Sequence, residues 1–82
     1  MNTTEGQTQR LLAAFYGSPG FEWPMPALNA IGAGPGHEYM NAPSKRISDA
    51  RKIARQCGHD IVCRNEWKDG QRHTFYTLKL HP

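Results

Sequence analysis

Apolar residues recur at helical spacing in three stretches of the first two thirds of the chain, and then alternate with polar ones in the last third. Thr8, Leu11, Leu12 and Phe15, with Ala14 at the margin, trace one stripe and predict a helix over Glu5–Tyr16, with Gln7, Gln9 and Arg10 toward water. Thr4 followed by Gln7 fits a capping box, and Gly17 fits a stop. Ser18-Pro19-Gly20 reads as a turn, and Pro24 keeps Phe21-Glu22-Trp23 extended. Ala27, Leu28, Ala30 and Ile31 supply the apolar side of a short helix over Pro26–Ile31, which Gly32 would end. Ala33 to Pro43 carries no period and is expected to be a loop tacked down by Tyr39 and Met40.

A third helix is expected to start between Asn41 and Ser44 and to end near Cys57, with Gly58 as its cap. At about 100° per residue, Ile47, Ala50, Ile53, Ala54 and Cys57 fall within an arc of about 120°, a core stripe. Ser48, Arg51, Lys52 and Arg55 lie in an arc away from that stripe, beside Lys45 and Gln56, and only Asp49 is near enough to offset the four cations. Beyond Gly58, Asp60–Asn65 and His73–Leu80 are strand candidates flanking Lys68-Asp69-Gly70-Gln71, and Asp-Gly is a strong two-residue hairpin turn. That turn pairs Lys68 with Gln71, Trp67 with Arg72, Cys63 with Tyr76 and Ile61 with Leu78. The same register puts Ile61, Cys63, Tyr76, Leu78 and Leu80 on one face.

The order is helix, short extended piece, helix, basic helix, hairpin, an α+β pattern. It resembles the winged helix-turn-helix family, and in particular small phage and prophage DNA-binding proteins. The likeness rests on Ser44-Lys-Arg-Ile-Ser-Asp-Ala-Arg-Lys-Ile53, on Gly58-His-Asp-Ile61, and on a glycine-containing tip before Tyr76-Thr-Leu78. It implies one winged-helix domain over 1–82, with three helices, a C-terminal hairpin wing and a short first strand. By that likeness Phe21–Trp23 is the first strand, the basic helix is the reader and Glu66–Arg72 is the wing tip. A helix-turn-helix normally joins its helices by a few residues, so the segment at about 32–43 reads as an inserted loop.

An 82-residue chain makes one small domain with a modest core, which excludes a Rossmann domain, a barrel or a two-lobed enzyme. Stability of a few kcal/mol is expected at this size, on the order of the usual small-scaffold value. Charge sharpens the picture through its distribution. Residues 1–42 hold one basic residue against three acidic, net −2, whereas 43–82 hold nine against four, net +5, which points to a polyanionic partner on the C-terminal side. No apolar run approaches a membrane span, and MNTTEGQTQR has neither the basic region nor the apolar stretch of a signal peptide. A cytoplasmic location with Cys57 and Cys63 as reduced thiols is therefore expected.

A helix fits the DNA major groove, where arginine donates in pairs to guanine O6 and N7. Ser48, Arg51 and Arg55, spaced three and four apart, form a candidate reading edge, and Lys45, Arg46 and Lys52 are candidates for phosphate contacts. At the hairpin tip Lys68, Arg72 and His73 are candidates for the backbone or minor groove, and Trp67 could stack on Arg72 or meet a ligand. A solvated, merely solubilising helix face is the plain alternative.

Other chemistry finds less support. Cys57-x-His59-x3-Cys63 lacks the tight cysteine pair of a zinc site, and both cysteines fall on expected core faces. Gly32-Ala-Gly-Pro-Gly36 lacks the Lys-Ser/Thr ending of a phosphate loop. Histidines and carboxylates are scattered without a triad order, and His59 beside Asp60 reads as a helix-end histidine next to a strand-start aspartate. No enzyme, metal or cofactor is expected. The expectation is a double-stranded DNA binder, such as a small phage or mobile-element transcription regulator, acting as a homodimer or cooperative assembly. The acidic half, with Trp23, Met25, Tyr39 and Met40, would carry that contact between copies. The rival is a winged-helix protein-interaction module, such as an inhibitor or adaptor of a host protein.

Overall fold

Three helices cover one side of a three-stranded antiparallel sheet in the computed structural model, which describes residues 4–37, 39–40 and 42–80, with residues 4 and 5 as backbone alone. The elements are α1 (Thr4–Gly17), β1 (Glu22–Pro24), α2 (Met25–Ala33), α3 (Pro43–Gln56), β2 (His59–Lys68) and β3 (Gln71–Leu80). The sheet order is β1-β3-β2, so the hairpin pairs within itself and the early strand adds to its β3 side.

The expected stripes build the core. Leu11, Leu12 and Phe15 of α1 meet Leu28 of α2, Ile47, Ala50 and Ala54 of α3, and Ile61 and Leu78 of the hairpin. Phe15, Leu11, Leu28 and Ile61 are almost wholly removed from water, each contributing roughly 1.5–3 kcal/mol of burial. Two residues placed toward water turn inward. Gln7 is buried, and Arg10 reaches across to α2, donating Nε–H to the Gly32 carbonyl at 2.9 Å and Nη2–H to the Ala33 carbonyl at 3.2 Å. A cation on the orphan carbonyls of a helix C-terminus is favourable, and α2 has no basic residue of its own there. The capping box lies outside the described residues, because it rests on the Thr4 side chain.

Helix α2 runs past Gly32 to Ala33 and closes at Gly34, whose N–H donates to the Ala30 carbonyl at 3.4 Å. Gly32 serves packing instead. A Cβ built there would lie 2.0 Å from Met40 Sδ, so the bare backbone is what lets Met40 sink into the core. Met40 N–H also donates to Asn29 Oδ1 at 3.5 Å. The segment between α2 and α3 is thus pinned at Met40, and Tyr39 beside it is exposed.

The hairpin register is the expected one throughout, including Lys68↔Gln71, Trp67↔Arg72, Cys63↔Tyr76 and Ile61↔Leu78. Asp69 and Gly70 both have positive φ, 55° and 74°, as a two-residue turn of this twist requires. Both strands extend further toward the tip than their apolar alternation suggested. The short strand lies one residue later than expected, and Trp23 pairs with Tyr76.

Four residues assigned to the core are instead exposed. Cys57 continues the 100° count of α3 only on paper: the helix ends at Gln56, and Cys57 is its cap with φ −101° and ψ 12°. Ile53 is 36% exposed at the edge of the stripe. Cys63 faces solvent because burial along β2 stops after Val62, beyond which the hairpin extends past its helical cover. Leu80 is 78% exposed, and α1 places Tyr16 against its strand partner His59 instead, with ring centroids 5.2 Å apart.

Candidate nucleic-acid interface

Burying Ile47, Ala50 and Ala54 fixes which way α3 points the rest of its side chains. Lys45, Ser48, Arg51, Lys52 and Arg55 are all exposed. Arg46 is not. It is 7% exposed and makes its ion pair with Asp49, at 3.3 Å, while its Nε has no partner. The expectation that Arg46 reaches phosphate is thereby corrected, because it sits beside Ile47 on the inward boundary of the helix.

The Gly58 turn, with φ 80°, reverses the chain so that the first residues of β2 return beside the last two turns of α3. Asp60 consequently meets both arginines of the expected reading edge. Arg51 donates Nε–H to Oδ1 at 2.8 Å and Nη2–H to Oδ2 at 3.4 Å; Arg55 does the same at 3.2 and 3.5 Å. Ile61 N–H donates to Oδ1 as well, at 2.9 Å. The hydrogen bonds from Arg51 above all, then those from Arg55 and the Ile61 amide, hold the Asp60 carboxyl well below the usual carboxylate range despite its partial burial. The same bond raises the Arg51 pKa further. Both arginine side chains remain about half exposed, 45% and 52%, whereas that of Asp60 is 14% exposed. Two guanidiniums and one carboxylate leave this cluster with one net positive charge.

Asp60 is the residue that sequence reasoning missed. Its signal was available: two arginines one helical turn apart, followed by a glycine-closed turn and an aspartate, are brought together by the reversal itself.

At the hairpin tip every residue from Arg64 to His73 is exposed, and Trp67 is 73% exposed. Trp67 stands opposite Arg72 in the ladder, but the guanidinium lying over a ring is Arg64 on Phe75, at 4.8 Å. Arg64 also bridges Glu22 on β1, through Nε and Nη2 at 2.7 and 2.6 Å, and Glu66 at 3.2 Å. Its hydrogen bond lowers the Glu22 pKa. Lys68, Arg72 and His73 share in no ion pair among the described residues.

Of the residues expected to meet a partner, Met40 is buried in the core and offers no free surface, and Trp23 is half-buried against it. Met25 and Tyr39 do border an open cleft of about 460 Å³, with Asn29, Arg72 and His73 also lining it. Cys57, His59 and Cys63 do not converge, and no metal-binding group of side chains occurs among the described residues. No described helix is long and apolar enough to cross a membrane. In comparisons with known proteins, the chain matches no family model, no curated protein and no solved structure.

Proposed function

We propose that the chain is a winged helix that binds double-stranded DNA, with α3 in the major groove and the hairpin tip against the adjacent backbone. The observation that carries this reading is the α3 surface: Lys45, Ser48, Arg51, Lys52 and Arg55 all project into solvent from a helix whose other side is sealed in the core. The order of elements and the sheet order support the winged-helix assignment, with the Glu66–Arg72 tip as the wing. Ser48, Arg51 and Arg55 face base edges, and Lys45, Lys52, Lys68 and Arg72 neutralise phosphates. Arg46 takes no part. Four phosphates give log K against log salt a slope of about −3.6, a loss of roughly two decades between 50 and 200 mM. A domain this small makes few contacts, so two copies on adjacent half-sites are expected on a specific site.

The test is titration of random-sequence duplex DNA at two salt concentrations, repeated with Arg51→Ala plus Arg55→Ala. Salt-dependent binding that weakens in the double variant supports the reading. Absent or salt-independent binding points instead to a protein partner, for which Tyr39 and the cleft beside α2 are the exposed apolar candidates.

A further inference from the structure

We infer that Asp60 is a positioning residue that holds Arg51 and Arg55 side by side as a paired reading head for guanine-containing sites; this rests on the DNA-binding reading. A guanidinium has five N–H donors in a planar fork. Each arginine spends its Nε–H and one Nη2–H on Asp60. That leaves both Nη1 hydrogens and the second Nη2 hydrogen on the edge away from the carboxylate. These are the donors that meet guanine O6 and N7 as a pair.

The carboxylate is itself fixed. Its Oδ1 accepts the Ile61 amide, and Ile61 is a core residue, so the anchor is tied to the rigid hairpin and not to a loop. The arrangement therefore cuts the rotamer freedom that two long exposed side chains would lose on binding. It also sets their planes relative to the helix. A carboxylate serving only to cancel charge would need no bidentate geometry toward both partners, and the cluster keeps a net positive charge in any case.

The experiment selects bound duplexes from a randomised pool of 20 base pairs, with the wild type and with Asp60→Asn, and measures the affinity of each protein for the unselected pool and for the selected winner. Asparagine keeps an oxygen for the Ile61 amide but no charge to hold two guanidiniums. Asp60→Ser, whose short side chain reaches neither, repeats the readout should the first variant unfold on thermal melting. The wild type is expected to enrich guanine-containing sites. In the variant the preference for the winner over the pool falls about tenfold, the size of one lost bidentate contact, while affinity for the pool is unchanged or higher because two cations are released. An unchanged preference in the variant, or a wild type that binds the pool but enriches nothing, overturns the positioning role and leaves Asp60 a charge-cancelling residue. A wild type that binds no duplex overturns the DNA reading itself, and this inference with it.

Discussion

Replacing Gly32 by alanine tests how the segment between α2 and α3 is held. Gly32 lies in the last turn of α2 with no positive φ, so alanine suits the backbone and would gain up to about 1 kcal/mol of helix propensity. The side chain is the difficulty. The new Cβ would stand 2.0 Å from Met40 Sδ and 2.6 Å from its Cγ, well inside contact. Met40 is 4% exposed, and displacing it forfeits most of the roughly 1.5–3 kcal/mol its burial provides. The net expected cost is about 1–2 kcal/mol, a fall in Tm of roughly 4–15 °C for a domain of this size. Met40→Ala alone should cost about 2 kcal/mol, the lower end for a buried methionine. In that background the clash is gone, so Gly32→Ala should become neutral or stabilising. The assay is a double-mutant cycle by urea unfolding followed by circular dichroism. Additive effects, with Gly32→Ala equally costly in both backgrounds, would refute the account of Met40 seated over a bare helix turn.

Further outcomes follow from the same structure. Arg46→Leu should leave stability unchanged or raise it by about 1 kcal/mol, because it removes a buried cation with an unpartnered Nε, and should leave duplex affinity within about twofold by fluorescence anisotropy. The carboxyls of Asp60 and Glu22 are both held below their unfolded values, so the stability they contribute is present above about pH 4 and is lost as pH falls and they take up protons. Thermal melts at a series of pH values should fall below pH 4, and Asp60→Asn should flatten that slope. Trp67→Ala should shift the Tm by less than about 4 °C, as expected for an exposed side chain; a larger fall in melting would show that Trp67 packs on the hairpin.

How far the sequence reaches is clearest where two periods meet. The hairpin was legible in full register because one Asp-Gly turn and two alternations had to agree, and each independently restricts the pairing. Which strand residues lie under cover was less legible. Alternation assigns a face, and only the extent of the helical layer decides how much of that face is buried, so Cys63 and Leu80 end in solvent. Helical counting worked for Ile47, Ala50 and Ala54 and failed at Cys57, where the angle no longer applies once the helix has ended.

Charged residues were the hardest to place, since each of the long ones has several reachable partners. Arg10, set toward water by its angle, finds helix carbonyls more than twenty residues away, and Arg46 is drawn in beside Asp49. The pairing of Arg51 and Arg55 with Asp60 depends on how the Gly58 turn reverses the chain, a tertiary fact that spacing alone suggests but does not fix.

The most direct test of the proposed interface is an amide chemical-shift map of the ¹⁵N-labelled protein titrated with a short random-sequence duplex at low salt. The proposed interface requires the largest shifts at Lys45, Ser48, Arg51, Lys52 and Arg55, with a second group from Trp67 to His73. Shifts confined to the cleft around Met25, Asn29 and Tyr39, or none anywhere on α3, would contradict it.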